Sequence, residues 1–306
     1  MGRKRFLQKI KESLKILKHA AGHFQTNNPI GMAGTTAYFT IFSIAPMLII
    51  IISVFGFFAS DVSIRAKLFE EMNNLIGKES SQLLQTAISN YQIIENSGIG
   101  AIIGVAIFLF SATTLFSIMQ NSINYIWRIR VKSKIKLNLL KFIRDRLFSF
   151  GMILSLGLVL LISLVLEASV SLLRDYLSQF FGPEFLVSIN VAREIISFLL
   201  TTSIFAFIFR FLPDVTVRWK SSWFGASFTA LLFVLGKYLI GFIIGKSQLG
   251  VIYGAASSLI ILLLWVYYVS LIFYFGVEIC YQYSNFYEHK QKPHNFAEPF
   301  KITSAD

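Results

Sequence analysis

The chain has 306 residues, of which 55% are apolar, 15% aromatic and only 14% charged, with a mean hydropathy of +0.64. Soluble domains carry about 25% charged residues, so a water-solvated globular domain is excluded, and lipid must cover the surface that charge does not. The formal net charge of +12 then reads either as a nucleic-acid footprint or as a membrane topology signal, and the placement of the charges decides between them.

From the N-terminus, Phe6, Ile10, Leu14, Leu17, Ala21 and Phe24 recur at spacings of three and four, while Lys4, Lys9, Lys11, Lys15 and Lys18 occupy the remaining surface. Residues 1–33 are therefore expected to form a basic amphipathic cytoplasmic helix, lying in the membrane interface or packed against the protein's own cytoplasmic loops. Asn27, Asn28 and Pro29 break it and cap the helix that enters the membrane. Six apolar runs follow, at 34–58, 99–118, 147–166, 195–212, 223–244 and 251–279, each at or near the roughly 20 residues that a spanning helix needs. The first run outlasts a signal-peptide core of about 7–15 residues and is expected to stay in the mature protein. Between the first two runs, Leu68, Met72 and Leu75, then Leu84 and Ile88, sit at helical spacing around Gly77. They predict an outer helical hairpin within 59–98, a stretch too long to be structureless. Residues 283–306 are polar, contain Pro293 and Pro299, and read as a mobile cytoplasmic tail. The predicted fold class is all-α: a polytopic membrane protein with a six-helix transmembrane domain over 34–282.

Lys and Arg number 7, 8, 3 and 3 in residues 1–33, 119–146, 210–223 and 280–306, against 3, 2 and 1 in 59–98, 167–194 and 245–250. The positive-inside rule then places both termini in the cytoplasm. The densest cluster, Arg128, Arg130, Lys132, Lys134, Lys136, Lys141, Arg144 and Arg146, has the composition of a phosphate-tracking surface. Juxtamembrane position gives it a simpler role, attracting anionic lipid headgroups at about 1 kcal/mol per residue. Membrane lipids are the expected partners and no nucleic acid is expected. The oligomeric state is not readable.

A single cysteine, Cys280, excludes an intrachain disulfide framework, and His19, His23, His289 and His294 fall in no metal-ligand spacing. Neither a metal nor another cofactor is expected, and no residue is expected to be catalytic.

Function in a bilayer is read from polar residues that hydrocarbon should exclude. Thr113, Ser117, Gln120, Asn121 and Asn124 share one helical face, as do Tyr267, Ser270, Tyr274, Glu278 and Tyr281. Thr36, Thr40 and Ser43 precede Pro46, whose missing N–H and ring kink a helix. Together these residues are expected to line one intramembrane polar cleft. The alternative is that they glue helices together at about 0.6 kcal/mol each. Two ionisable groups lie within runs, Lys237 and Glu278. Each is expected to mark a pathway or to pair with an opposite charge, Arg210 being the natural partner for Glu278. Gly225–Ala226, Gly236, Gly241, Gly245 and Gly254–Ala255–Ala256 are expected at close helix crossings.

Ala37–Tyr38 with Phe42–Ser43–Ile44–Ala45–Pro46, then Asn124–Tyr125–Ile126–Trp127, then Arg210–Phe211–Leu212–Pro213 with Trp223 and Gly225–Ala226, form an ordered series. It closes on Tyr253–Gly254–Ala255, Leu264–Trp265–Val266–Tyr267 and Gly276–Val277–Glu278. In this order and spacing the chain resembles the YihY/BrkB family of bacterial inner-membrane proteins, once named ribonuclease BN, over about residues 15–285. Val277 stands where the family usually has alanine, and the glutamate stays in register. The resemblance implies six spans, a bacterial plasma-membrane location and a role as transporter or permease, with serum resistance linked to BrkB-type members; it implies no substrate. The ribonuclease name finds no support in the residues: a two-metal nuclease needs a cluster such as His-x-His-x-Asp-His, and the chain has none. The expectation is a transporter or lipid/amphiphile translocase, not an enzyme. A non-transporting envelope scaffold or assembly factor is the rival, and a ribonuclease comes last.

Overall fold

Six helices and one two-stranded sheet make up the residues that the computed structural model describes, namely 2–42, 113–132, 183–246, 257–288 and 292–300. They are α1 (Gly2–Thr26), α2 (29–42), α3 (113–126), β1 (Ile129–Val131), α4 (Pro183–Phe211), α5 (Trp219–Lys246), α6 (Ser257–Glu288) and β2 (Ala297–Pro299). The predicted hairpin of 59–98, the span at 147–166 and most of the first two spans lie outside the described residues. Three of the described helices are long and apolar enough to cross a membrane: Glu194–Phe211, Trp219–Ile240 and Ile260–Tyr287. They overlap the runs expected at 195–212, 223–244 and 251–279. The helices themselves run further than the apolar stretches, because backbone hydrogen bonding continues past a polar residue as long as no proline or glycine interrupts it.

The chain divides into two compact units. The first comprises residues 1–29, 120–235 and 272–306. Within it α1 ends where Asn28 takes a left-handed φ of 51°, a conformation that asparagine tolerates better than most residues. Pro29 then opens α2, since a first-turn position needs no N–H. Ile16 and Ala20 are buried. Phe24 meets Phe275 edge-on at 5.2 Å, and the Tyr287 hydroxyl donates to Glu12 at 2.6 Å. These contacts join α1 to α6.

Phenylalanines fill the space between α4, α5 and α6 in this unit: Phe205 stands 6.2 Å from Phe233, and Phe209 stands 5.3 Å from Phe273. Close approach of α5 and α6 depends on Gly225, whose Cβ, if it had one, would lie 2.6 Å from the Gly276 carbonyl oxygen.

The tail is not the mobile segment that its prolines suggest. β2 pairs antiparallel with β1, with Ile129 opposite Pro299, Arg130 opposite Glu298 and Val131 opposite Ala297. Thr216 N–H donates to the Lys292 carbonyl at 3.1 Å, His294 N–H to Asp214 at 3.1 Å, Lys132 N–H to Phe296 at 3.0 Å and Phe300 N–H to Arg128 at 2.9 Å. Proline is tolerated here because Pro299 ends the strand and leaves no ladder donor missing. Removing residues 289–306 is expected to destabilise the detergent-purified protein by about 2 kcal/mol, four near-surface backbone bonds at about 0.5 kcal/mol each. An unchanged thermal midpoint would show the strap to be an appendage.

The second unit comprises residues 30–119 and 236–271. Its described helices leave Tyr38, Phe42, Tyr238, Leu239, Phe242, Leu263 and Leu264 exposed.

Candidate functional site

Two carboxylates are buried in the first unit, and each accepts hydrogen bonds from side-chain amides. Asp214 lies in the turn after α4, 3% exposed. Its oxygens accept from Gln120 Nε2 at 3.1 Å and Asn124 Nδ2 at 2.8 Å, while Asn124 Oδ1 accepts the Asp214 backbone N–H at 2.8 Å. Gln120 and Asn124 are one helical turn apart on α3 and so reach the same acceptor. Asn121, rotated about 100° away, is exposed.

Glu278 lies on α6 and is fully buried. Its Oε2 accepts from Asn27 Nδ2 and its Oε1 from Gln282 Nε2, both at 2.8 Å. Asn27 arrives from the break between α1 and α2, and Gln282 is the next turn of α6. Arg128 takes a left-handed φ of 57° just after α3. Three buried hydrogen-bonding atoms of this unit, Asn27 Oδ1, Trp127 Nε1 and Arg128 Nη1, have no partner among the described residues. The Trp127 ring stands edge-on to Tyr281 at 5.5 Å. Buried polar groups are paired in the great majority of cases, so three unused ones beside one buried carboxylate mark this spot.

The remaining residues of the expected cleft behave differently. Ser43 and Pro46 lie outside the described residues. Thr36 donates to the Met32 carbonyl at 2.9 Å, Thr40 to Thr36 at 2.7 Å, Ser117 to Thr113 at 2.8 Å and Ser270 to Val266 at 2.8 Å. Each hydroxyl proton goes to the carbonyl four residues earlier on its own helix, so these positions offer no free donor to a cleft. Thr113 is buried and Tyr267 half-buried. Tyr274 is fully buried, with its ring 5.3 Å from Phe273. Of the expected stripe, Gln120, Asn124 and Glu278 are joined by side-chain bonds to other segments.

Arg210 does not pair with Glu278. Its guanidinium donates to the Val217 carbonyl and lies 4.7 Å from the centre of the Trp219 ring, because it sits in the last turn of α4, where a cation meets the helix's negative end. Lys237 is exposed on α5. Asp214, Asn27, Gln282, Arg128 and Trp127 were not among the expected site residues. Asn27 read as part of a helix break and cap, and the sequence singled out nothing at Asp214. The one local signal was Gln282, four residues after Glu278 and on its face.

Three long apolar helices with outward apolar side chains, one of them carrying a buried carboxylate, define an α-helical membrane protein. Residues 20–299 match the family model described as virulence factor BrkB, and the chain belongs to that family. A UPF0761 membrane protein of Psychromonas ingrahamii is 28% identical over 91% of this chain and 90% of its own length. Another, from Vibrio vulnificus, is 28% identical over 81% of this chain and 75% of its own, and one from Photobacterium profundum is 25% identical over 100% and 90%. No solved structure matches the chain.

Proposed function

We propose that this protein is a six-span inner-membrane protein with both termini in the cytoplasm, and that it translocates a small polar or amphiphilic substrate, a lipid or lipid-linked molecule being the preferred class. The positive-inside distribution of Lys and Arg supports the topology. One observation carries the function: a fully buried carboxylate on a spanning helix, Glu278, surrounded by unused hydrogen-bonding atoms on Asn27, Trp127 and Arg128. Glu278 lies near the inner end of its run, and an ionisable side chain within a spanning segment needs a partner or a pathway. A group that served only as helix glue would have its neighbours' bonds closed, whereas a waypoint for a polar substrate leaves them open. Glu278→Gln keeps the shape and one acceptor oxygen, so it is expected to insert and accumulate normally yet fail to restore a knockout phenotype. Full restoration would sink the assignment.

A scaffold or assembly factor is the second reading, favoured by the hydroxyls that bond back to their own helices. Deleting part of 59–98 separates the two: a scaffold loses a crosslinked partner while Glu278→Gln stays silent, and a translocase does the reverse. The proposed activity is not enzymatic. Metal-dependent RNA cleavage by the purified, folded protein would overturn that part of the reading and restore the ribonuclease name.

A further inference from the structure

The basic face of α1 is not used by either carboxylate site. Lys15, Lys18, His19, Gly22, His23 and Thr26 line a groove of about 660 Å³. Their spacing of three and four residues puts them on one side of the helix, and all are exposed. No acid lines the groove among the described residues. Glu12, one turn before Lys15, is engaged by Gln8 and Tyr287. Gly22 leaves the floor open, since nothing lies within 4 Å of where its Cβ would stand. Lys18, His19 and His23, with Lys15 whose Nζ stands 5.9 Å from the Phe286 ring centre, place N–H donors beside an open floor, a setting for a phosphate oxyanion.

We propose that this groove binds the phosphate of an anionic phospholipid from the cytoplasmic leaflet. A lipid is favoured over a soluble phosphate by two features. Leu14, one turn before Lys18 on the same helix, is 59% exposed, so apolar and basic surface adjoin as they do on interfacial helices. The groove also ends at Thr26, three residues before the chain enters the helix at Pro29. The proposal rests on the reading that α1 lies at the cytoplasmic face.

The test uses the full chain in neutral detergent, titrated with phosphatidylglycerol, phosphatidylcholine or inorganic phosphate and followed by native mass spectrometry and thermal midpoint. Phosphatidylglycerol is expected to bind selectively. Lys15→Gln with Lys18→Gln is expected to weaken it about 25-fold, about fivefold per lysine, while Lys220→Gln with Lys292→Gln, an equal charge loss elsewhere, leaves it unchanged. Gly22→Leu removes no charge but fills the groove and is expected to weaken binding as well. Equal weakening by the control pair, undiminished binding by Gly22→Leu, or saturation by inorganic phosphate alone would overturn the lipid site. Labelling of Lys11→Cys by a membrane-impermeant maleimide separates the two readings, the native Cys280 being buried. Modification from the periplasmic side removes the topology and the site together. Modification from the cytoplasmic side without lipid selectivity removes the site alone.

Discussion

Asp214→Ala is expected to lower the thermal midpoint of the purified protein sharply, because it removes the acceptor shared by two buried amides. Gln120 Nε2 and Asn124 Nδ2 both donate to its carboxylate. Stranding a buried donor costs about 1–3 kcal/mol, so losing both partnerships costs about 2–6 kcal/mol. Asp214→Asn keeps one acceptor oxygen and turns an amide donor towards the other partner, and about half the loss is expected. The controlling comparison replaces all three residues with leucine. Exchanging the three side chains for apolar volume leaves no buried amide stranded, but the Asp214 backbone N–H loses Asn124 Oδ1, so the triple variant should recover part of the stability that Asp214→Ala loses. A triple variant as unstable as the single one would show that the carboxylate acts through something other than these amides.

Gly225→Val is the second large effect. A Cβ at this position would stand 2.6 Å from the Gly276 carbonyl oxygen and 2.9 Å from Cys280 Cβ. The first obstacle is backbone, which cannot rotate aside, so α5 and α6 must separate along their length. A loss of at least about 3 kcal/mol follows, at the upper end of overpacking costs, read as a lower midpoint and poor accumulation in the membrane. Gly276→Ala is obstructed by the Thr229 hydroxyl and, at 2.9 Å, by the Phe209 ring, and should behave similarly. Gly236 faces only the Tyr268 ring, a side chain that can swing, so alanine there should be milder. A Gly225→Val protein with a wild-type midpoint would mean that the helices cross more loosely than described.

Much of the architecture was legible from composition. A spanning helix announces itself by a local excess of apolar residues, and the stretches read at 195–212, 223–244 and 251–279 each overlap a long apolar helix among the described residues. Their ends were not legible: α4 begins at Pro183 and α6 continues to Glu288, because helical hydrogen bonding is indifferent to where lipid stops. The tail misled for the reverse reason. Its prolines and polar residues are locally unfavourable to structure, and what orders it is pairing with a strand more than 160 residues earlier, Arg130 with Glu298 among the pairs.

The candidate site divides along the same line. Glu278 stood out from sequence because a carboxylate in an apolar run is costly wherever the run folds. Its supposed partner Arg210 was inferred from depth in the bilayer, which says nothing about the direction in which a guanidinium points. The hydroxyl stripes were correctly placed on helical faces, yet a hydroxyl can reach the carbonyl one turn back, and no periodicity distinguishes that bond from one across a cleft.

The sequence by itself therefore determined the membrane class, the helical content and the anomalous glutamate, all set by composition over a few turns of chain. Only the tertiary structure decided what the buried carboxylates touch. Asn27 reaches Glu278 across 251 residues and Asn124 reaches Asp214 across 90, and contacts at such separations depend on how the helices pack, which no local pattern of residues encodes.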